Sequence, residues 1–292
     1  MFEVINVGAS PGGEGFLLVT EDKVALLDTG FAFSAKGMVG KIKGSIGDRN
    51  VDYIILTHSH YDHVGGASLV KETWPDAKIV SAKHAADVFE KPNAVATMKK
   101  LNRAAAWELR KKLFVYGGMD HLHTDIIVKE GDIIDLGTVK LRVMEAPGHT
   151  WDTLAFWSEE ERFLITNETM GVPTIDGDVM PACLVSYNKA MEYIARAQEL
   201  RPAKMLIAHY GVVEESDAEK ILEGARYWNK YCRDLIMGLH DEGKDIEEIK
   251  LAVKNRFYTE NVRKGQPEKA FDLNNKYYVP NLIKECSSEQ AQ

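Results

Sequence analysis

Two kinds of hydrophobic pattern occur along the chain. Short apolar runs of strand length, bounded by Gly, Asp or Asn, cover residues 16–20, 24–28 and 51–56. Between the second and third runs, apolar residues recur at helical spacing over residues 34–46. Strands that alternate with helices in this way are typical of an α/β layered fold.

The alternation continues for about two thirds of the chain and then stops. Further strands are predicted at residues 78–81, 125–128, 138–145, 153–157, 162–166 and 205–208. A segment rich in Ala, Lys, Arg and Leu at about residues 83–114 reads as a helical insertion, and residues 187–200 read as a helix. The rest is helical at residues 217–243, 246–256 and 268–286. We therefore predict a domain over residues 1–212 and a helical C-terminal extension over residues 213–292.

Composition and charge restrict the class of partner. The chain has 292 residues, 45% of them hydrophobic, which is enough to bury a substantial core. With 36 basic and 44 acidic residues its net charge is −8. Because binding to a nucleic-acid backbone needs clustered Lys and Arg, the balance argues against a nucleic-acid partner.

The start of the chain and its cysteines bear on localisation. Residues 2–7 alternate like a strand and lack the basic start and long apolar run of an export signal. We find no stretch long enough to span a membrane. The 3 cysteines are few and widely spaced, which fits a reducing compartment. We expect a cytoplasmic protein without a membrane partner.

The strongest chemical signal is the run Thr57–His63, T-H-S-H-Y-D-H, directly after an apolar stretch. It places four potential metal ligands within six positions, namely His58, His60, Asp62 and His63. The alternative is a pair of surface histidines beside a salt-bridging aspartate. The chain has only 9 histidines, and three of them fall in this short run, which favours a metal site.

Two further histidines end apolar runs. His149 sits in the turn Pro147-Gly148-His149-Thr150, and His209 follows the strand predicted at residues 205–208. A histidine in such a place is more often structural when nothing else points to it. The upstream cluster strengthens the signal of His149, and a family resemblance implies that both histidines are ligands.

This combination resembles the metallo-β-lactamase superfamily, in which H-x-H-x-D-H and a later P-G-H-T turn carry metal ligands. The resemblance implies a four-layer αββα sandwich of the α/β class, with the helical insertion and the C-terminal extension covering the active site. It also implies two divalent metal ions, which could be zinc, iron or one of each. The first site would use His58, His60 and His149, and the second would use Asp62, His63 and His209.

The remaining ligand position departs from the family pattern. Residues 163–171 match a segment that usually ends in Gly-Asp, where the aspartate bridges both metals, but this chain has Asn167-Glu168 there. Glutamate keeps the charge, although its extra methylene moves the carboxylate by more than about 1 Å. We expect Glu168 to bridge the metals. The alternative is that Glu168 lies outside the ligand set and the second metal binds weakly.

The resemblance also assigns roles to the neighbouring side chains. It implies a hydroxide that bridges the metals and attacks a carbonyl carbon, with Asp62 as a catalytic residue. We also expect Tyr210 to be catalytic, because it follows the last ligand and its phenol could donate to a substrate carbonyl. Asp28 and Thr29, in a D-T-G segment of the family, are expected to support the ligands by hydrogen bonds, and so is His84. Tyr61, inside the motif, is expected to pack rather than to contact substrate.

The helical insertion and the helical tail make the layout similar to the thioesterase-type branch that includes the quinolone-signal response protein. Short matches at Leu101-Asn102-Arg103 and Glu145-Ala146 accompany them. This likeness implies a metal-dependent hydrolase of a small-molecule thioester or ester. It leaves the oligomeric state open, a homodimer being one option.

Other activities of the superfamily require different residues or a different charge. A flavodiiron oxygen reductase would have glutamate at position 60, where this chain has histidine, and a nuclease should be basic. Three alternatives stay open: a lactonase, an iron-dependent persulfide dioxygenase, and a metal-stabilised regulatory protein with little catalysis.

Overall fold

The computed structural model describes residues 2–109 and 119–290. Its strands are β1 (Glu3–Asn6), β2 (Phe16–Val19), β3 (Val24–Leu27), β4 (Tyr53–Ile55), β5 (Lys78–Ala82), β6 (Ile126–Val128), β7 (Ile133–Asp135), β8 (Lys140–Glu145), β9 (Leu154–Ser158), β10 (Phe163–Thr166), β11 (Val172–Pro173), β12 (Val179–Met180), β13 (Lys204–Ile207) and β14 (Gly211–Glu214). Its helices are α1 (Ala35–Ile46), α2 (Tyr61–Val64), α3 (Ala67–Thr73), α4 (Lys83–Phe89), α5 (Pro92–Glu108), α6 (Tyr187–Leu200), α7 (Glu215–Asp241), α8 (Ile246–Phe257), α9 (Glu260–Gly265) and α10 (Glu268–Gln290). Short 3₁₀ helices occur at Ala32–Ser34 and Glu168–Met170.

Most predicted elements are present within a residue or two. Helix α6 has the predicted bounds, because Ser186 caps it by accepting a hydrogen bond from the Lys189 amide and its apolar stripe is unbroken. The helical insertion is confirmed as α4 and α5 over its described part, and residues 110–114 of that prediction lie outside the described residues. Strands β7, β11, β12 and β14 and helices α2 and α9 were not predicted from the sequence.

The chain forms two compact units. One comprises Met1–Glu145 with Leu154–Glu161, and the other comprises Ala146–Thr153 with Arg162–Gln292. The predicted domain boundary at residue 212 stays a prediction. The strands form two six-stranded sheets and one two-stranded ribbon, β11 with β12.

The first unit contains the sheet with the order β1-β2-β3-β4-β5-β6. Strands β1, β2 and β3 are antiparallel to one another, and β3, β4, β5 and β6 run parallel. Every residue of β3 is buried, as expected for a strand with neighbours on both sides and packing on both faces. Helix α1 buries Met38, Ile42 and Ile46 in the core of this unit, which is the spacing noted in the sequence.

In the first unit, β7, β8 and β9 form an antiparallel meander. In the second unit, β10 lies parallel to β13, and β13 turns back antiparallel into β14. Parallel strands have their carboxyl ends at the same edge of a sheet, which brings together the residues that follow β10 and β13.

The second unit has its own helical core. Apolar side chains of α6, α7, α8 and α10 form it, including Ala190, Ile236, Phe257, Val279 and Leu282. Among the described residues, no helix is both long and apolar enough to cross a membrane.

Candidate metal centre

Four of the predicted ligands lie in one loop of the first unit, directly after β4. The ring centroids of His58 and His60 are 4.7 Å apart, and those of His58 and His63 are 4.1 Å apart. The Nε2 atom of His63 lies 3.8 Å from a carboxylate oxygen of Asp62. The short helix α2 begins after His60 and carries Asp62 and His63.

Asp28 supports two of these histidines. It follows β3, whose carboxyl end lies beside that of the parallel strand β4. Its Oδ2 accepts hydrogen bonds from His63 Nδ1 and from the Thr57 hydroxyl, both at 2.8 Å, and its Oδ1 accepts from the Thr57 amide at 2.8 Å. Because the Thr57 hydroxyl donates to Asp28, it accepts from His58 Nδ1 at 3.1 Å. One carboxylate therefore orients His63 directly and His58 through Thr57.

Thr29 fixes the backbone of the same loop. Its amide donates to the carbonyl of His63 at 2.6 Å, and its hydroxyl donates to the same carbonyl at 2.8 Å. The hydroxyl also accepts from the Gly66 amide at 3.2 Å. A Cβ on Gly66 would lie 2.5 Å from the Thr29 carbonyl oxygen, so only glycine fits this approach.

Glu168 and His209 come together in the second unit for the same topological reason. They follow the parallel strands β10 and β13, and His209 Nε2 lies 2.9 Å from Glu168 Oε1. Glu168 is buried within the 3₁₀ helix Glu168–Met170, which Asn167 caps by accepting from the Thr169 amide at 2.8 Å. The backbone of His209 has a φ of 62°, a left-handed conformation that histidine adopts more readily than most residues.

The His149 turn is tied to the Glu168 segment. The His149 amide donates to the Thr169 hydroxyl at 3.2 Å, and that hydroxyl donates to the Ala146 carbonyl at 2.6 Å. The Nδ1 atom of His149 lies 2.6 Å from the Ala182 carbonyl, so it must carry the proton and donate. As with His58 and His63, a polypeptide partner at Nδ1 leaves Nε2 as the atom for a metal.

Three groups of these side chains could each hold a metal ion, because within each group the ligand atoms lie within 4.8 Å of one another. The groups are His58, His60 and His149; His58, His63 and Glu168; and Asp62, His63 and His209. Imidazole nitrogens with one or two carboxylates suit zinc and iron, so the donor chemistry fits the expected divalent ions.

The other predicted site residues occupy different environments. Tyr210 follows His209 and is 44% exposed. Tyr61 is partly buried beside Phe31, and burial, followed by the neighbouring Asp62, raises the pKa of its phenol. His84 is exposed in the first turn of α4 and belongs to none of the three groups found among the described residues.

The sequence analysis missed several residues that hold the ligands. Thr57 and Thr169 each adjoin a candidate ligand, and a hydroxyl beside a ligand is a signal that could have been used. The Ala182 carbonyl accepts from His149 across 33 residues, and nothing in the local sequence marks it.

The chain belongs to the metallo-β-lactamase superfamily, because residues 15–209, more than half of its length, match that family. The matched range includes all seven candidate ligands. The prediction of an α/β fold with two sheets and a helical C-terminal region is confirmed.

Individual proteins are also similar to this chain in sequence. A metallo-β-lactamase fold-containing protein of Sulfurisphaera tokodaii is 29% identical over 178 residues, which cover 59% of this chain and 66% of that relative. A hydroxyacylglutathione hydrolase of Francisella tularensis subsp. holarctica is 27% identical over 209 residues, covering 70% of this chain and 68% of the relative. The matches thus span about two thirds of each relative's length.

A solved structure of a metallo-β-lactamase family protein from Thermus thermophilus is similar in fold. The two superpose with a TM-score of 0.69 at 18% identity, over 99% of this chain and 94% of the other. At that identity the likeness concerns the fold alone.

Proposed function

We propose that the protein is a metal-dependent hydrolase of small-molecule thioesters or esters. The observation that carries the proposal is the division of the candidate ligands into three groups. His58, His60 and His149 would hold one ion, and Asp62, His63 and His209 a second. Glu168 shares a group with one histidine from each set, which supports a bridging role for its carboxylate.

The donor set indicates which chemistry the metal would supply. When bound, the ions act as Lewis acids that polarise a carbonyl and lower the pKa of water towards neutrality. The chain's own task is to hold the imidazoles in one orientation, which the hydrogen bonds at Nδ1 of His58, His63 and His149 support.

Two observations favour a small acyl substrate. The relative from Francisella tularensis is a hydrolase of hydroxyacylglutathione, an acyl derivative of a small thiol. The net charge of −8 disfavours a nucleic acid. Tyr210, exposed beside His209, would donate its phenol proton in a hydrogen bond to the substrate carbonyl.

The test is thiol release from a panel of acyl-CoA and acyl-glutathione thioesters, with metal content measured on the same samples. We expect turnover in the wild type and its loss in Asp62→Ala. The matched control is Asp48→Ala, because Asp48 is exposed at the end of α1 and belongs to none of the candidate ligand groups in the described chain.

Two results would contradict the proposal. Absence of thiol release from every member of the panel, with metal bound, would exclude the thioesterase activity and favour lactone hydrolysis or iron-dependent sulfur oxidation. Equal turnover in Asp62→Ala and the wild type would exclude Asp62 from the reaction and contradict its assignment as a catalytic metal ligand.

A further inference from the structure

Helix α10 contacts residues 182–188, the segment that orients the imidazole of His149. His149 donates from Nδ1 to the carbonyl of Ala182, so the placement of its ring follows the placement of residues 182–188. Helix α10 lies beyond residue 209, where the family match ends. Its contacts with residues 182–188 are therefore a property of this chain's extension.

Two side chains of α10 make these contacts. Glu285 accepts hydrogen bonds from the Ser186 hydroxyl at 2.6 Å and from the Tyr187 amide at 2.7 Å. It also lies 3.5 Å from the amide nitrogen of Asn188. Asn281 donates from Nδ2 to the Leu184 carbonyl at 2.8 Å.

Residues 182–188 also form hydrogen bonds with the backbone of the turn that carries His149. The amides of Val185 and Ser186 donate to the Gly148 carbonyl at 2.9 Å and 3.3 Å. The carbonyls and amides of this one segment thus fix both the backbone next to His149 and the ring of His149 itself. Any movement of residues 182–188 would shift the imidazole.

The negative charge of Glu285 makes its hydrogen bonds stronger than hydrogen bonds between neutral groups. It accepts from the first amides of α6, where the helix dipole is positive, and hydrogen bonds to an ionised carboxylate are stronger than neutral ones. The side chain is only partly exposed, so solvent screens it incompletely.

We infer that Glu285 and Asn281 are positioning residues that set the metal affinity of His149 from the C-terminal extension. The inference takes from the proposed function only the role of His149 as a ligand. Neither residue is among the candidate ligands, so their effect passes through residues 182–188.

The experiment measures the zinc dissociation constant of the full-length protein by chelator competition, and the melting temperature with and without zinc. The variants are Glu285→Ala, Glu285→Gln and Asn281→Ala. The control is Glu268→Gln, an exposed residue of the same helix whose partner Lys254 also pairs with Asp272. We expect about tenfold weaker zinc binding for Glu285→Ala, the lower end of effects seen for residues that orient ligands.

The remaining variants should have smaller effects on zinc affinity. Glu285→Gln and Asn281→Ala should weaken zinc binding less than Glu285→Ala does, and the control should stay within about twofold of the wild type. A positioning role also predicts that zinc raises the melting temperature of the Glu285 variants by less than it raises that of the wild type.

An equal fall in melting temperature with and without zinc, at unchanged zinc affinity, would overturn the inference and leave Glu285 a purely structural residue. If Glu285→Ala does not fold, the same comparison is made with Glu285→Gln and Asn281→Ala. Failure of the proposed function gives a different result, because a protein without thioesterase activity would still show weaker zinc binding in these variants.

Discussion

Asp28 and His63 are joined by a hydrogen bond of 2.8 Å from the imidazole Nδ1 to the carboxylate, although 35 residues separate them in the chain. Asp28 holds a left-handed backbone with a φ of 56°, which is unfavourable for a residue with a Cβ. The same side chain binds both the amide and the hydroxyl of Thr57. These three hydrogen bonds offset the cost of the backbone and hold two candidate ligands in place.

Replacing Asp28 by Asn should weaken metal binding without disturbing the backbone, because asparagine also tolerates a left-handed φ. The amide can accept from Thr57 at one atom, but its NH₂ group cannot accept from His63. We expect zinc affinity to fall about 10–100-fold, as for other residues that orient a ligand histidine. Chelator competition measures the affinity, with the exposed Asp48→Asn as control, and equal affinities in the two variants would contradict this role for Asp28.

Replacing Glu168 by Gln tests whether its carboxylate serves both metal ions. The amide keeps the size of the side chain but removes the charge that a shared ligand needs. If Glu168 bridges the two ions, the variant should bind the second equivalent of zinc at least about tenfold more weakly than the wild type does. Its affinity for the first equivalent should also be lower than that of the wild type. Stepwise titration followed by metal analysis of the dialysed protein measures both. Unchanged binding of two equivalents would place Glu168 outside the ligand set.

The parts of the fold and site that could be predicted are those with a local signal. Helix α6 combines an apolar stripe with a Ser186 cap, and its bounds were predicted to the residue. The ligand cluster at residues 58–63 stands in consecutive sequence and matches a family motif. The hairpin strand β14 was missed because Gly211–Glu214 is short, with no alternation of apolar and polar residues.

Other features depend on contacts between distant residues and leave no trace in the local sequence. The left-handed backbone of Asp28 depends on Thr57 and His63, and a single sequence does not show which aspartate has such partners. Likewise, Glu285 reads as one more acidic residue on a charged helix, and only the fold brings it to the start of α6. Hydrophobic periodicity predicts elements, but it does not predict which polar groups meet.

Replacing Gly148 by Ala should both destabilise the protein and displace His149. The φ at Gly148 is 145°, and an added Cβ would lie 2.8 Å from Thr169 Cγ2 and 2.9 Å from the Ala190 Cβ. Crowding in a packed site and the unfavourable φ together should cost about 3 kcal/mol. Urea unfolding measures the loss. Gly177→Ala is the control, because Gly177 also has a positive φ but no neighbour within 4 Å, and it should cost about 1 kcal/mol. Equal losses in the two variants would show that crowding at Gly148 contributes nothing.

The two thiols in the core of the second unit should make stability fall at high pH. Burial raises the pKa of Cys183 and of Cys232 from 9.0 to about 12 in the folded protein. The folded state therefore holds the thiol protons more tightly than the unfolded state does. The contribution of the protonated thiols to stability is complete below about pH 9 and is lost progressively between about pH 9 and pH 12. Each thiol should lower the free energy of unfolding by about 1.4 kcal/mol per pH unit within that range.

The comparison that isolates the thiols is urea unfolding at pH 8, 9 and 10 of the wild type and of the double variant Cys183→Ala, Cys232→Ala. The variant should be less stable at pH 8, since both side chains are buried in the core, but its stability should fall less steeply above pH 9. Lysines and the tyrosines remote from the thiols titrate in both proteins and cancel in the difference. The phenol of Tyr278 interacts with both thiols, but burial raises its pKa well above 10.0, so it stays protonated at pH 8, 9 and 10. Parallel pH profiles would mean that the folded state does not suppress ionisation of these thiols.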